Sequence, residues 1–412
     1  MPYDDEFQQA TAREMFEELT VEELKPLASL VGGGVTKKGE LVDLLVKTVG
    51  DREELRRLYD GLSATGQKAV QEAAHHPEGL LDLFKFQAKY NASIDFGGEH
   101  RGRGRSKRKL TPLCLLFPRA PILPRDVQEI LLGFVPEPPP LEVASRDELP
   151  PKARRGLGRS GYLDTEEVDA DDDEAEPLRV RQTARVAMHD VKAVLRFIDL
   201  GEVQVGEKTR KPSLKVQKAI GEVLADGDYY SEADQSRGTA NPDLDLRIQT
   251  FAWPILVQAA GLAEVVRGTR LELTAAGRKA MTMPPQEVIR KIWERWQKTT
   301  LIDEFHRISV IKGQQSKGRV LTAVPRRRAS IVELLRECPA RKWISITELW
   351  RLLKASARDL NVVVDPWKLY ICQQPYGCLG DNPSSWEMVE GRYVLAFLFE
   401  YALKKETRAL AR

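Results

Sequence analysis

The chain has few cysteines and no apolar run that approaches the roughly 20 residues a membrane-spanning helix needs. Four cysteines in 412 residues are too few and too scattered for a disulfide framework. Cys372 and Cys378 are separated by five residues, a spacing that fits no common zinc site. The polar, acidic start MPYDDEFQQA is not typical of a signal peptide. These absences predict reduced thiols, no metal, no membrane partner and a cytoplasmic location.

The sequence also lacks the motifs of the common catalytic sites. It contains no G-x-x-x-x-G-K-[ST], no G-x-S-x-G and no H-E-x-x-H. The nearest approach to a phosphate-binding loop is GLSATGQK, in which Gln67 and Lys68 stand where a lysine and a hydroxyl are required. We interpret it as a helix break followed by a cap at Ser63. We therefore expect a protein without catalytic activity and without a cofactor.

An excess of charge of one sign is missing as well. The 63 lysines and arginines nearly balance the 61 aspartates and glutamates, which leaves a net charge of +2. A polyanion can therefore be attracted only by local basic clusters. The length favours two to four domains, and an apolar content of 42% is enough to form their cores.

The most definite pattern lies at residues 20–49, TVEELKPLASLVGGGVTKKGELVDLLVKTV. Thr20 and Glu23 predict a capping box at the start of a first helix. Glycines 32–34 are expected to end that helix, since glycine accepts the left-handed conformation of a helix terminus. Thr36 is expected to cap a second helix. Its apolar face would comprise Leu41, Leu44, Leu45 and Thr48.

Lys37 and Lys38 would then lie in the first turn of the second helix, where the helix dipole disfavours cations. Two lysines beside free backbone amides are favoured if an anion such as a phosphate binds there. The capped first helix, the glycine turn, TKKGEL and the leucine pair resemble a SAP motif, a two-helix DNA-binding module. The alternative is an ordinary helical hairpin with solvated lysines. The DNA-binding residues that the resemblance implies are Thr36, Lys37, Lys38 and Lys47.

A second basic cluster, RGRGRSKRK at residues 101–109, has six basic residues in nine. Interleaved glycines make it flexible, so it is either a solvated loop or a phosphate-binding arm. No aromatic residue alternates with the charges, so stacking on single strands is not indicated. The DNA-binding residues of such an arm would be Arg101, Arg103, Arg105, Lys107, Arg108 and Lys109.

Residues 136–182 are proline-rich and then acidic, with nine carboxylates in LDTEEVDADDDEAEP. This composition predicts a solvated linker, and the spacing is not that of a calcium loop. Residues 51–135, before it, predict a helical domain.

Residues 183–284 resemble a winged-helix domain. A helix precedes the strand-like VQVG, Pro212 and Ser213 mark a second helix, and a third helix leads into LELTAAGR. The resemblance implies that a basic helix and a wing contact DNA. The alternative is a module that contacts another protein. The DNA-binding residues implied are Lys208, Arg210, Lys211 and Lys215.

A helical connector at 285–325 is expected to lead into a second winged-helix-like domain at 326–412. Ser345 and Glu348 predict a capping box there. The arginines that open this domain are either solvated or phosphate-binding; they are Arg326, Arg327 and Arg328. The tryptophans expected to pack in its core are Trp343, Trp350, Trp367 and Trp386.

The order of the stretches LYDGLSATGQKAVQEAAHH, VGEKTRKPS, FAWPILVQAAGLAE, LELTAAGRKA and SSWEMVEGRYVLAFLFEYAL adds a wider resemblance. It is similar to the helicase-associated N-terminal region of bacterial XPB-type helicase-like proteins, although no motor is present here. The fold class expected is mainly α. A SAP-like hairpin (1–50) and a helical domain (51–135) would precede two winged-helix-like α+β domains.

Two functions agree with this organisation. The first is a non-catalytic protein that binds duplex DNA by its backbone and shape, as an accessory to a DNA helicase or another DNA-processing machine. The second is an adaptor whose winged helices bind a partner helicase or nuclease instead of DNA.

Overall fold

The computed structural model describes residues 10–99, 107–108, 110–119, 121–149, 152–154, 156–157, 163–164, 175–177, 180–229, 247–266, 268–308, 311–312, 320–356, 360–371, 377–378, 386–402 and 410–411. The described chain is mainly helical, as the sequence predicts. It divides into two compact units, residues 1–142 together with 354–357, and the rest of the chain from residue 143. None of its described helices combines the length and the apolar character that crossing a membrane requires.

The first unit contains eight described helices and one short strand pair. The helices are α1 (Ala12–Glu17), α2 (Val21–Leu30), α3 (Lys38–Gly50), α4 (Arg52–Asp60), α5 (Ala64–Ala74), α6 (Leu83–Tyr90), α7 (Leu113–Leu116) and α8 (Arg125–Leu132). Strands β1 (Gly98–Glu99) and β2 (Lys107–Arg108) pair antiparallel.

Side-chain caps set the starts of these helices. The Glu23 N–H donates to Thr20 Oγ1 (3.3 Å), and the Thr20 N–H donates to Glu23 Oε2 (2.8 Å), so the predicted capping box is confirmed. Ser63 accepts from the Gly66 N–H at the start of α5, which also confirms its predicted role. Each cap satisfies an amide that has no partner within its own helix.

Helix α3 is the centre of the first unit. It contacts α1, α2, α4, α7 and α8, and Leu41 and Leu45 are fully buried on it. Asp51 is both the C-cap of α3 and the N-cap of α4. One hydrophobic cluster extends from Ala12 to Val135. The boundary expected at residue 50 therefore falls inside a single core.

The second unit contains eight described helices. They are α9 (Thr183–Asp199), α10 (Leu214–Val223), α11 (Gln249–Ala259), α12 (Ala275–Thr282), α13 (Pro285–Trp296), α14 (Val324–Glu337), α15 (Ile346–Ala355) and α16 (Arg392–Ala396). Turns of 3₁₀ helix lie at Glu304–Arg307 and Pro366–Lys368, and turns of π helix at Glu387–Gly391 and Phe397–Tyr401.

The strands of the second unit are short and pair antiparallel. They are β3 (Lys152–Arg154) with β6 (Ala175–Pro177), β4 (Gly156–Leu157) with β5 (Leu163–Asp164), β7 (Val180–Arg181) with β13 (Leu410–Ala411), and β8 (Ala263–Val266) with β9 (Arg270–Leu273). A three-stranded sheet has the order β10 (Ile311–Lys312), β11 (Tyr370–Ile371) and β12 (Gly377–Cys378).

The segment after α9 adds a third strand-like element to the β8–β9 hairpin. The Leu271 N–H donates to the Val203 carbonyl (3.0 Å), and the Val205 N–H donates to the Thr269 carbonyl (2.8 Å). The predicted strand at VQVG is therefore present as a short edge beside β9. Among the described residues from 183 to 273, the order is helix, strand, helix, helix, hairpin.

Aromatic stacking joins distant parts of the second unit. Trp296 on α13 is fully buried, and its ring stacks on Tyr401 at 5.1 Å between centroids and lies 5.2 Å from Phe397. Helix α11 contacts α9, α10, α13 and the Phe397–Tyr401 turn. The pieces expected as separate domains after residue 183 thus share one compact unit.

Part of the predicted linker is fixed to α15. Arg146 and Trp343 exchange both backbone hydrogen bonds, at 2.9 and 2.7 Å. Ser345 caps α15 by accepting from the Glu348 N–H at 3.0 Å. The Glu348 carboxylate accepts instead from the Ala144 N–H and from Arg351, so only half of the predicted capping box forms.

Candidate nucleic-acid interface

The turn between α2 and α3 is shaped by two of its three glycines. Gly32 has a φ of +76°, a conformation that favours glycine. A Cβ on Gly33 would lie 2.4 Å from Leu44 Cδ2 and 3.1 Å from the Ala28 carbonyl oxygen, so a side chain there would require the Leu44 side chain to move. A Cβ on Gly34 would meet nothing within 4 Å. The turn is therefore held tightly against α3 at Gly33 and opens toward solvent afterwards.

Helix α3 begins one residue later than the sequence predicts. Lys37, in extended conformation, is the N-cap, because the Leu41 N–H bonds to its carbonyl. The prediction that Thr36 caps the helix is therefore wrong, and α3 has no side-chain cap. Residues 34–40 are all exposed. The first amides of α3 thus face solvent beside Lys37 and Lys38.

An acidic neighbour reduces the charge of this cluster only slightly. Lys37 Nζ lies 3.4 Å from Glu40 Oε1, but the lysine side chain is 82% exposed. Solvent screens such a pair, and exposed pairs contribute about 0–1 kcal/mol. The lysine can therefore exchange this carboxylate for a phosphate at little cost.

Lys47 is exposed but does not join the cluster. Nine residues beyond Lys38, it lies about 14 Å further along α3 and half a turn around it. Exposed carboxylates of Glu40 and Asp43 occupy the helix between them, and Asp43 is paired with Arg13 at 2.8 Å. Of the lysines predicted in this hairpin, the structure therefore brings together Lys37 and Lys38 and leaves Lys47 apart.

Most of the basic cluster at residues 101–109 lies outside the described residues. Arg101, Arg103, Arg105 and Lys109 lie outside the described residues, and Lys107 and Arg108 are described only as strand β2.

A second exposed basic group lies where residues 206–211 form a closed loop before α10. The Gly206 N–H donates to the Lys211 carbonyl (2.9 Å), and the Arg210 N–H donates to the Gly206 carbonyl (2.8 Å). Arg210 has a φ of +58°, an uncommon conformation for a non-glycine residue. Lys208 in this loop and Lys215 in the first turn of α10 are exposed. These two lysines are available to a polyanion.

Lys211 is half-buried and faces an interior ion pair. Burial lowers the pKa of its ammonium, and the nearby positive charge of Arg307 lowers it further. The negative charge of Glu400 acts in the opposite direction. Arg307 Nε lies 2.8 Å from Glu400 Oε1. Half-burial and the nearby Arg307 charge both disfavour its charged form, so Lys211 is a weaker candidate for phosphate contact than the exposed Lys208 and Lys215.

Helix α11, which follows α10, has little exposed surface. Residues 249–257 are buried throughout. Their side chains are mostly apolar, including Phe251 and Trp253, and they pack inside the second unit. Base edges or phosphates therefore have no access to this helix.

Two arginines of the predicted basic triplet are interior residues. Arg327 is 1% exposed, and its guanidinium donates to both Asp303 oxygens, at 3.0 and 2.5 Å, and to the Thr322 carbonyl. Arg328 has no exposed surface. Phosphate contact by these two residues is therefore excluded in this fold, and only Arg326 is exposed.

The environment of Arg328 explains its burial. Its Nε and Nη2 lie 2.9 and 2.6 Å from Glu304 Oε1. Its other hydrogens are accepted by three carbonyls, those of Trp296, Thr299 and Ile302. Each donor of a guanidinium needs an acceptor when water is excluded, and a carboxylate with several carbonyls meets that need.

One predicted core tryptophan is a surface residue. Trp350 is buried, and Trp343 and Trp386 are half-buried, but Trp367 is 63% exposed. It belongs to the Pro366–Lys368 turn, and the residue that enters the core there is Leu369. Sequence reasoning missed this position because a tryptophan alone does not indicate which way its ring points.

The chain matches no protein-family model, no curated protein and no solved structure. Among the residues described, no group of three or more histidine, cysteine or acidic side chains is placed to hold a metal ion. The positions open to interpretation are therefore the exposed lysines at the starts of α3 and α10.

Proposed function

We propose that the chain is a non-catalytic DNA-binding protein that recognises the backbone and shape of duplex DNA, as an accessory to a DNA helicase or another DNA-processing machine. The observation that carries the proposal is the exposed start of α3. There, amides without a side-chain cap lie beside Lys37 and Lys38. A phosphate oxygen would accept from these amides, and the lysines and the helix dipole would stabilise its charge.

The hairpin supports this role because it is fixed before any ligand binds. Gly33 is in close contact with Leu44, and α2 and α3 share a fully buried core. Little conformational entropy is then lost on binding. Two lysines give a modest affinity, and they contact phosphates alone, so recognition would depend on backbone and shape.

The second unit adds a second set of DNA contacts to the same proposal. Among the described residues, its order of helix, strand, helix, helix and hairpin resembles that of a winged-helix domain, and Lys208 and Lys215 are exposed around the start of its second helix. In many winged-helix domains the third helix reads DNA, but here α11 is buried. The contacts would therefore come from the loop, α10 and the hairpin.

Charge reversal at α3 tests the proposal. Fluorescence anisotropy with a labelled duplex at two salt concentrations should show wild-type affinity falling with salt. Lys37→Glu, Lys38→Glu should weaken binding by at least tenfold. The matched control, Arg57→Glu, Lys85→Glu, changes the same charge at exposed sites of the same unit and should bind like the wild type. Absence of binding, or equal losses in both variants, would refute the role of α3.

The burial of α11 favours a second candidate, a protein-interaction adaptor. A winged-helix arrangement without an exposed third helix is suited to protein contact. The adaptor would bind a helicase or nuclease through the second unit. In that case a purified complex with that enzyme should survive nuclease treatment and should be unaffected by Lys37→Glu, Lys38→Glu. Loss of the complex on nuclease treatment would favour the DNA-binding function.

A further inference from the structure

A short segment of the second unit presents aromatic side chains to solvent. Trp367 is 63% exposed and Tyr370 is 39% exposed, and the nearby Val364 is 61% exposed. Trp367 and Tyr370 are the only aromatic residues among the exposed large hydrophobic residues of the described chain. Single exposed apolar residues are normal on protein surfaces, whereas exposed apolar residues grouped together and accompanied by polar ones are typical of binding surfaces.

The backbone that carries these side chains is fixed on both sides. On one side the Val364 N–H donates to the Val320 carbonyl (2.8 Å), and on the other Tyr370 and Ile371 pair with β10 and β12. Leu369, between the two aromatics, is fully buried. The exposed rings therefore belong to a segment whose backbone is held by hydrogen bonds.

Lysines accompany the aromatics on this surface. Lys312 in β10 is directly opposite Tyr370 in the antiparallel register. Ile311 is buried and Lys312 is exposed, as alternation along a strand requires, so Lys312 and Tyr370 share the solvent face. Lys368, next to Trp367, is half-exposed and lies 3.2 Å from Asp365. The exposed side chains of residues 365–370 and the neighbouring strand β10 thus include two aromatic rings and two lysines, and one carboxylate pairs with Lys368.

This combination favours one kind of ligand. Aromatic rings bind unpaired bases by stacking, and lysines bind the phosphates between those bases. A purely apolar partner would bury the lysines without counter-charges, which is costly. A duplex keeps its base faces stacked and closed to the rings. We propose that Trp367 and Tyr370, with Lys312 and Lys368, form a stacking platform for single-stranded nucleic acid.

The proposal rests on the proposed function, since DNA is the ligand in both, and it makes that ligand more specific. Duplex contact at α3 and base stacking at Trp367 in one chain would favour DNA that contains both paired and unpaired segments. Such DNA is the substrate of strand-separating enzymes, for which the chain is proposed to be an accessory.

The test uses the full chain and a labelled oligothymidine of about 12 nucleotides, within the site sizes known for stacking proteins. Binding should quench tryptophan fluorescence. Trp367→Ala should weaken binding by roughly 5- to 100-fold, whereas Trp367→Phe, which keeps an aromatic face, should retain most of it. Leu200→Ala, at an exposed apolar residue elsewhere in the unit, is the control. An abasic strand of equal length should bind weakly to the wild type.

The outcomes separate the two proposals. Duplex binding by the wild type with no single-strand binding, or single-strand binding that Trp367→Ala does not change, would overturn the platform and leave the proposed function intact. Equal affinity for the abasic strand would also overturn it. If Lys37→Glu, Lys38→Glu loses duplex binding but its tryptophan fluorescence is still quenched by the oligothymidine, the proposed function and the stacking platform are both supported. Binding to neither ligand would refute the proposed function as well.

Discussion

Arg328 and Glu304 form an ion pair that is fully buried: Nη2 of the arginine lies 2.6 Å from Oε1 of the glutamate, and neither side chain exposes any surface. The other carboxylate oxygen accepts from the Tyr393 hydroxyl (3.1 Å). Burial raises the pKa of Glu304, and the Arg328 charge opposes that rise. The pair connects α14, the Glu304–Arg307 turn and α16, which the sequence places far apart.

Removing one partner of this pair should destabilise the second unit. We expect Arg328→Met to lower the free energy of unfolding by about 3–5 kcal/mol, because Glu304 is left buried without a counter-charge. Urea unfolding followed by circular dichroism measures the loss. Arg328→Met combined with Glu304→Gln should lose less than the single variant, and Arg326→Met, at the exposed neighbour, should stay within about 0.5 kcal/mol of wild type. A single variant as stable as wild type would contradict the ion-pair argument.

Stability should depend on pH through Glu390. Burial raises the pKa of this carboxyl from its ordinary 4.5 to about 7, although the Val362 N–H and the Arg327 charge act in the opposite direction. The folded state therefore holds the proton more tightly than the unfolded state. The protonated Glu390 carboxyl therefore contributes its full stabilisation of the folded state below about pH 4.5. This stabilisation, roughly 3 kcal/mol at most, is lost as the pH rises to about 7.

Urea unfolding of the wild type and of Glu390→Gln at pH 5 and pH 8 checks this dependence. The wild type should lose more stability between the two pH values than the variant, which has no titrating group there. Other groups remain in both proteins, among them the buried Glu304, so the difference isolates Glu390. The same pH dependence in the two proteins would show that this carboxyl keeps its ordinary pKa.

Two adjacent glycines should respond differently to alanine. Gly33→Ala places a Cβ against Leu44 and the Ala28 carbonyl oxygen and should cost about 1–3 kcal/mol. Gly34→Ala meets no atom within 4 Å and should be neutral or slightly stabilising. Thermal unfolding of the two variants compares them directly. If both behave alike, the close contact between the turn and α3 is absent in solution.

The salt dependence of duplex binding should identify the phosphate contacts. Each lost contact lowers the slope of log K against log salt by about 0.9. Lys37→Gln, Lys38→Gln should therefore reduce the slope by roughly 2, and Lys208→Gln, Lys215→Gln should do the same if the second unit binds the same DNA. Arg57→Gln, Lys85→Gln serves as the control. An unchanged slope in a test variant would remove its lysines from the interface.

Features that depend on a few neighbouring residues were well predicted. The capping box at Thr20 and Glu23 and the caps at Ser63 and Ser213 all form. A cap is local, because a side chain satisfies an amide two or three residues away. Even so, the N-cap of α3 is Lys37 and not the predicted Thr36, and it makes no side-chain cap.

The basic clusters show where local reasoning fails. Arg326, Arg327 and Arg328 are adjacent, yet one is exposed and two are interior. The partners of the interior pair, Asp303 and Glu304, lie 24 residues away in the chain. Lys211 likewise faces a pair that only folding brings to it. A run of basic residues in the sequence indicates a local positive charge. Which of its side chains are exposed to solvent depends on the segments that pack against them.

The sequence alone determined the mainly helical class, the caps at Thr20, Ser63 and Ser213 and the clusters of charge, because caps, periodicity and composition act over a few residues. Only the tertiary structure decided which cations face solvent, that α11 is interior and that Trp367 is exposed. Those properties depend on packing between segments far apart in the chain. The exposed lysines at α3 and the rings at Trp367 and Tyr370 are what that packing leaves available to a ligand.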